Sequence, residues 1–265
     1  MSIFSQAFDP ATDTALVTGA GNGIGRAIAL ALVGEGVRTV FADIKPETVA
    51  STLKAAADAG ADTKLAIGWV GDLAERSECE RLMRDARASL GVVRRFVHSA
   101  APPRREVDHA LSVSDETWVR MRAVNVDAGF YLGREVAKDL IAAKQPGSML
   151  YLTSLHAETP RNLPHYSTSK AALAMLVKEL AKTLGRYQIR VNALVPGAIA
   201  AGGFVADPKL AQHIPLGRLG KSDDLAPLAL AVLSDRISGY VTGTSIVIDG
   251  GIALTNWFEA PTLEL

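Results

Sequence analysis

The sequence predicts an α/β fold: a single doubly wound parallel sheet with helices on both faces. Three observations predict it. Short apolar runs bounded by turn residues recur along the 265 residues. They are continuous rather than alternating, as strands covered on both faces must be. Amphipathic segments with apolar residues three and four apart stand between them. Strict alternation of strand and helix leads to parallel pairing through right-handed crossovers.

The elements follow in order. "ALVTG" (15–19) is the first strand, and "GRAIALALVGEG" after it the first helix. "RTVFAD" (38–43), "KLAIGWVGD" (64–72) and "RRFVHSA" (94–100) are the next strands, with "ECERLMRDARASLG" a helix before the last of them. "SDETWVRMRAVNVDAGFYLGREVAKDLIAAKQ" is a long helical stretch leading to "SMLYLTS" (148–154). "AALAMLVKELAKTLGRY" then precedes "IRVNALVPG" (189–197), and "SIVIDGG" (245–251) ends the series. No Pro/Gly/Ser linker or composition break divides the chain, so one domain over 1–265 is expected, with tails at 1–13 and 252–265.

Charge and cysteine content exclude several classes. Lysine plus arginine and aspartate plus glutamate both total 28, so no global field invites nucleic acid. The lone Cys79 cannot form an intrachain disulfide and has no metal-ligand spacing, which points to a reducing compartment and no bound metal. No apolar run approaches the ~20 residues that span a bilayer, and no signal-peptide pattern opens the chain. A cytoplasmic protein without a membrane partner is expected.

The first strand ends in "TGAGNGIG" (18–25) and runs straight into a helix. Glycines at 19, 23 and 25 permit a tight turn and close approach of a ligand, while the helix N-terminus offers N–H groups to an anion. This pattern, GxxxGxG, predicts a dinucleotide pyrophosphate site; a tight turn without a ligand is the plain alternative. Asp43 ends the second run, roughly 20 residues further on, where a carboxylate accepts from adenosine ribose hydroxyls. Ionised, it repels a 2′-phosphate, and Asn22 stands where a phosphate-binding arginine would sit, so NAD is favoured over NADP. Asp72 is a candidate for the adenine amino group, or else a strand-end cap. Gly21, Ile24, Leu73, Ser99, Ala100 and Ala101 complete the expected cofactor-facing set.

Ligands of such sheets bind beyond the carboxyl ends of the strands. There the fifth run delivers Thr153 and Ser154, followed twelve positions later by Tyr166 and four after that by Lys170. With a helix from about Ser167 onward, Tyr166 and Lys170 share one face near its start. A free tyrosine, with pKa near ~10, is a poor base at neutral pH, but a nearby ammonium and the helix N-terminus favour its phenolate. Tyr166 is thus a candidate acid/base, Ser154 a holder of the substrate oxygen, and Lys170 a donor to both the tyrosine and a nicotinamide ribose.

With these residues in hand, the chain resembles the short-chain dehydrogenases/reductases of the main Rossmann-type subfamily. "TGAGNGIG", "VNV" (124–126), "YSTSK" (166–170), "RVNALVPG", "IPLGRLG" and "YVTGTSIVIDGG" match that family in order, from about Thr14 to Gly251. The resemblance implies an oxidoreductase with Asn125 as a fourth catalytic residue, its backbone holding a water that links the lysine to bulk. It also implies a nicotinamide-binding turn at Pro196, Gly197 and Ile199, and a homo-oligomer, tetramer or dimer. On the residues alone, Asn125 is a helix-interior asparagine that fits a bend.

Four departures from the family pattern stand out. His98, Ser99, Ala100 and Ala101 replace the common "NNAG" turn. The serine-to-tyrosine spacing is one residue short, which leaves Thr153 as an alternative to the preferred Ser154. The segment before Ile214 is short, and Ala201 stands near where a threonine is usual; a small lid of this kind suits a compact, hydrated substrate. The tail beyond Gly251 carries Trp257 and Phe258, expected to dock at an interface.

Arg104 and Arg105, then His156, Arg161 and His165, surround the expected pocket. Arg104, His156 and Arg161 are the substrate candidates, since guanidinium forks and imidazoles bind carboxylates and polyols directionally; solvated loop charge is the plain alternative. The expected activity is NAD-dependent interconversion of a secondary alcohol and a ketone on a sugar, polyol or sugar acid. Reduction of a 3-oxoacyl thioester is the runner-up, and a non-catalytic NAD-binding sensor the reading from another class.

Overall fold

A computed structural model describes residues 7–201 and 208–254. Its centre is a seven-stranded sheet in which every neighbouring pair is parallel. The first half alternates β1 (Thr14–Thr18), α1 (Gly23–Gly34), β2 (Arg38–Asp43), α2 (Pro46–Asp58), β3 (Ala66–Val70), α3 (Arg76–Leu90) and β4 (Arg95–His98). Then come α4 (Asp115–Arg122), a π-helical turn at Ala123–Ala128, α5 (Gly129–Ala143), β5 (Gly147–Leu152), α6 (Pro164–Leu184) and β6 (Ile189–Pro196). A two-stranded parallel sheet of β7 (Ile199–Ala200) and β8 (Gly220–Lys221) precedes α7 (Ser222–Leu233), α8 (Asp235–Ser238) and β9 (Ser245–Ile248).

The order across the main sheet is β3-β2-β1-β4-β5-β6-β9, so the winding reverses between β1 and β4. That reversal opens a crevice at the carboxyl ends of these two strands, where ligands of doubly wound sheets bind. The expected fold class and all seven predicted strand runs appear, with 38–43 unchanged and most of the others trimmed at their C-terminal ends. The small β7–β8 sheet is an addition that no hydrophobic run announced.

Both faces of the central strands β1, β4, β5 and β6 are buried. Leu16 points into a core shared with Leu82 and Met83 of α3, Leu132 and Val136 of α5, and Leu173 and Val177 of α6. Its neighbours Ala15 and Val17 point the other way, into a core with Ile28 and Leu32 of α1 and Leu225, Ala229 and Leu233 of α7. Successive residues of one strand thus serve opposite cores, which is why the runs read as continuously apolar.

Two expectations need correction. The N-terminal segment is no tail from residue 7 onward. Ala7 and Phe8 are buried in the second core, the Ser234 hydroxyl donates to the Ala7 carbonyl at 2.7 Å, and Asp13 is buried against Arg95. At the other end, Ile252–Leu254 forms a single 3-10 turn with Leu254 exposed, and residues 255–265 of the expected tail lie outside the described residues. Helix α6 starts at Pro164 rather than about Ser167, because proline at the first helical position has its φ preset and loses no needed N–H. Gly202, Gly203, Trp257 and Phe258 lie outside the described residues.

Candidate active site

The glycine turn leaves β1 directly into α1. Gly19 has φ +68, and a Cβ there would come within 2.7 Å of the Ala100 amide nitrogen, so only glycine lets the β1 and β4 exits lie against each other. A Cβ on Gly21 would strike Thr48 and the Asp43 carboxyl. Asn22 precedes α1 without a side-chain cap, and no acid stands in the first turn, so the N–H groups of Gly23, Ile24 and Gly25 face the crevice end of the helix. Asp43 is half-buried; its carboxylate accepts from Gly21 N at 2.9 Å and from Lys45 N at 3.2 Å. These contacts fix the carboxylate beside the turn. Together they fit a dinucleotide.

Other expected cofactor residues are placed unevenly. Ser99 and Ala100 follow β4 with their amides on the Thr18 hydroxyl, at 3.2 and 3.3 Å, and Ala101 is exposed beyond them. Gly197 donates to the Ile248 carbonyl at 3.0 Å, and Pro196 closes β6. Asp72 is engaged as the plainer reading had it: its carboxylate accepts from Ala74 N and pairs with Arg120 at 2.9 Å. Leu73 and Ile199 turn their side chains into the two cores, which leaves their backbones for any ligand.

Across the crevice, Tyr166 and Lys170 lie one turn apart in α6, both buried. Lys170 Nζ donates to the Leu152 carbonyl at 2.8 Å. This bond pins α6 to the end of β5, two residues before Ser154. Ser154 is buried and caps the next short turn, its hydroxyl accepting from His156 N at 3.2 Å, whereas Thr153 spends its hydroxyl on the Leu194 carbonyl at 3.0 Å. Asn125 sits in the π-helical turn, an irregularity of the kind at which helices commonly bend. Its Nδ2 donates to Ser169 Oγ at 2.8 Å, and Ser169 in turn donates to the Tyr166 carbonyl at 2.7 Å. Asn125 Oδ1 is buried with no hydrogen-bond partner among the described residues.

The Tyr166 ring is surrounded by cations and imidazole. The Arg104 guanidinium carbon lies 4.7 Å from its centroid, Lys170 Nζ 5.7 Å, and the His156 ring 6.3 Å. Burial, and after it the Arg104 charge, push Lys170 down to about 7. Burial also holds His156 below the ordinary histidine value, although its Nδ1 lies 3.1 Å from the Thr159 carbonyl. The remaining candidates diverge. Arg161 pairs with Glu106 at 3.0 Å across the site rim, and Arg105 is exposed. His165 is buried, with neither ring nitrogen hydrogen-bonded among the described residues.

Sequence reasoning missed the residues that join these parts. His98 was visible only as a departure from a common turn; Thr18 and Ser169 lay inside matched motifs without a role assigned to them, and Gly129 carried no signal. The one usable clue was register, since Thr18 and His98 end neighbouring strands opposite each other.

A doubly wound sheet with a glycine turn at its switch point, and a serine, tyrosine and lysine across the crevice, defines a dinucleotide-binding α/β class. A family described as "Enoyl-(Acyl carrier protein) reductase" matches residues 19–253. The (3R)-3-hydroxyacyl-CoA dehydrogenase of Rattus norvegicus is 32% identical over 248 residues, 90% of this chain and 95% of that protein. A short-chain type dehydrogenase/reductase from Mycobacterium marinum superposes with TM-score 0.86 at 29% identity, covering 96% of this chain and 100% of that one. A gluconate 5-dehydrogenase from Burkholderia cenocepacia J2315, solved with NADP and tartrate, gives 0.82 at 28% identity over 92% of this chain and 96% of that one. The chain belongs to the short-chain dehydrogenase/reductase family, and is therefore an oxidoreductase of CH–OH groups that works with a nicotinamide cofactor.

Proposed function

We propose that this protein interconverts a secondary alcohol and a ketone with NAD, on a small polyhydroxylated substrate of the sugar, polyol or sugar-acid class. The observation that carries the reading is the buried Tyr166–Lys170 pair, bonded to the strand end from which Ser154 leaves. The dinucleotide would be held by the 19–25 turn, Asp43, the Asp72–Leu73 backbone, Ser99 to Ala101, Lys170 and the 196–199 turn. When bound, it supplies the hydride chemistry. Tyr166 moves the proton at its phenol oxygen, with Lys170 one helical turn away on the same face. Ser154, whose hydroxyl is not committed to a strand carbonyl as that of Thr153 is, holds the reacting oxygen and spreads its developing charge. Asn125 supports the lysine side through its backbone, as the family resemblance implies.

The Asp43 carboxylate supports NAD, since a 2′-phosphate would meet an anion already fixed at the ribose end. The gluconate 5-dehydrogenase was solved with NADP, so both cofactors belong in the assay. For the substrate, Arg104 over the tyrosine ring and His156 beside it supply directional polar groups, and that tartrate-bound relative supports a hydroxy-acid. A second reading, oxidation or reduction at the 3-position of an acyl thioester, is favoured by the 32% identity to a 3-hydroxyacyl-CoA dehydrogenase. The deciding experiment is a screen of sugars, polyols, sugar acids, 3-hydroxyacyl thioesters and simple secondary alcohols with NAD and NADP, following reduced-nicotinamide absorbance. Turnover of thioesters alone would transfer the assignment to the second reading. NAD affinity without turnover of any alcohol or ketone would make the protein a sensor.

A further inference from the structure

The carboxyl end of β4 carries a histidine where the family commonly has asparagine, and its ring is 1% exposed. His98 Nε2 lies 3.1 Å from both the Val124 and the Asn125 carbonyl oxygens, and Nδ1 lies 3.0 Å from Thr18 Oγ1. Carbonyl oxygens only accept, so Nε2 carries the hydrogen and Nδ1 accepts from the threonine hydroxyl. The Thr18 oxygen is then free on its acceptor side to receive the amides of Ser99 and Ala100, as it does. One imidazole therefore joins the exit of β1, the turn after β4 and the π-helical turn that holds Asn125.

The space for the ring is built in. A Cβ on Gly129, the first residue of α5, would come within 2.9 Å of His98 Cδ2. Burial first, and the Lys170 charge after it, push the imidazole down to about 4, so the ring stays neutral and keeps its single Nε2–H at any working pH.

We infer that His98 is a positioning residue for the proposed reaction: its Nε2–H aims the Asn125 carbonyl, and its Nδ1 locks that carbonyl to the cofactor-facing turn through Thr18. The inference rests on the proposed function. A carbonyl oxygen has two lone pairs, and His98 occupies one of them on Asn125, which leaves the other as the single direction for a water leading toward Lys170. Asparagine, shorter and with two amide hydrogens, can still donate in this direction. Leucine fills the space and donates nothing.

The test compares His98→Asn with His98→Leu in the full chain, using the substrate found by the screen, with Tyr166→Phe in parallel. His98→Leu is expected to lower kcat about 10- to 100-fold with KM for the alcohol within about threefold, as for a misaimed catalytic group. His98→Asn is expected to recover most of that loss. Equal kcat for His98→Asn, His98→Leu and the parent overturns the inference, even where thermal stability falls. Equal losses in the two variants, with no rescue by asparagine, overturn it as well, because they track packing rather than donation. Should His98→Leu not fold, Thr18→Val decides: parent-like kcat refutes the lock, and a loss of kcat with KM for the alcohol unchanged supports it. Failure of the proposed function reads differently, because Tyr166→Phe would then turn over like the parent whatever His98 does.

Discussion

The roles proposed for Tyr166 and Lys170 meet at Arg104, whose guanidinium lies over the tyrosine ring and whose charge helps to lower Lys170. With its phenol oxygen gone, Tyr166→Phe should lose orders of magnitude in kcat while its NAD dissociation constant, read by fluorescence titration, changes little. Lys170 holds its proton below about 7 and gives it up above, because burial and Arg104 both disfavour the charged form. Removing the second cause raises the value. In Arg104→Gln, the inflection that Lys170 contributes to the kcat/KM profile should therefore move to higher pH, and a profile that coincides with the parent's would separate Arg104 from the lysine. Asp43→Asn removes the fixed anion at the ribose end, and the NAD-over-NADP ratio of kcat/KM should fall by about tenfold, roughly the worth of 1.4 kcal/mol.

At the scale of elements, the π-helical turn between α4 and α5 does what neither helix could do alone. It turns Asn125 so that its amide reaches Ser169 of α6 and its carbonyl reaches His98 of β4. The following turn of α5 must then pass close to the sheet, and it does so on glycines. Gly129 faces His98, and a Cβ on Gly133 would land on the Tyr151 hydroxyl, which donates to the Gly129 carbonyl at 3.1 Å. Tyr151 is fully buried edge-on against Phe96, so it has nowhere to retreat. Gly133→Ala should destabilise by about 1–3 kcal/mol as an overpacking change, visible as a lower urea midpoint with the slope unchanged. The asparagine in an apolar helical stretch made an irregularity legible beforehand; the two glycines, read as sequence, were only weak helix formers. Their necessity belongs to the close approach of α5 and β5, which no local pattern encodes.

Across the whole molecule, the chemistry sits at the carboxyl ends of the strands and an ionic clamp at the amino ends. Arg95 at the start of β4 reaches Asp13 at 2.8 Å and Asp235 at 2.9 Å, and Arg190 at the start of β6 reaches Asp235 at 2.8 Å. Burial works to raise Asp235, but Arg95 and Arg190 prevail and hold it below the ordinary carboxylate value. Its folded value thus lies below its unfolded one, near ~4, so the stabilisation is complete above that pH and is lost as pH falls through the folded value. Asp235→Asn, which leaves Arg95 with Asp13 as its carboxylate and Arg190 with backbone carbonyls, should cost about 1–3 kcal/mol at neutral pH and flatten the acid limb of stability measured by urea titration. Trp118 and Val119 of α4 and Phe130 and Ile141 of α5 stay partly exposed, as covering by a second copy would require; if the homo-oligomer that the family resemblance implies forms, sedimentation should find a species larger than one chain. Among the described residues, no helix is long and apolar enough to cross a membrane.

By itself the sequence determined the sheet, its parallel sense and the motif positions of the site, because continuous apolar runs, a glycine turn and a tyrosine four before a lysine are local signals set by backbone sterics and helical period. It also held the N-terminal boundary of α6 wrongly at about Ser167, since Pro164 reads equally as a loop breaker until the helix packs behind it. Only the tertiary structure decided which hydroxyl is committed and which is not: Thr153 bonds to a neighbouring strand, and Ser154 does not, a matter of register between β5 and β6. It alone buried His165, tied Arg161 to Glu106, and laid Arg104 over the tyrosine ring. The same holds for His98, whose partners come from β1 and the π-helical turn. Contacts between residues 27 or 80 positions apart depend on how strands order and helices cross, and a single sequence carries no local trace of that.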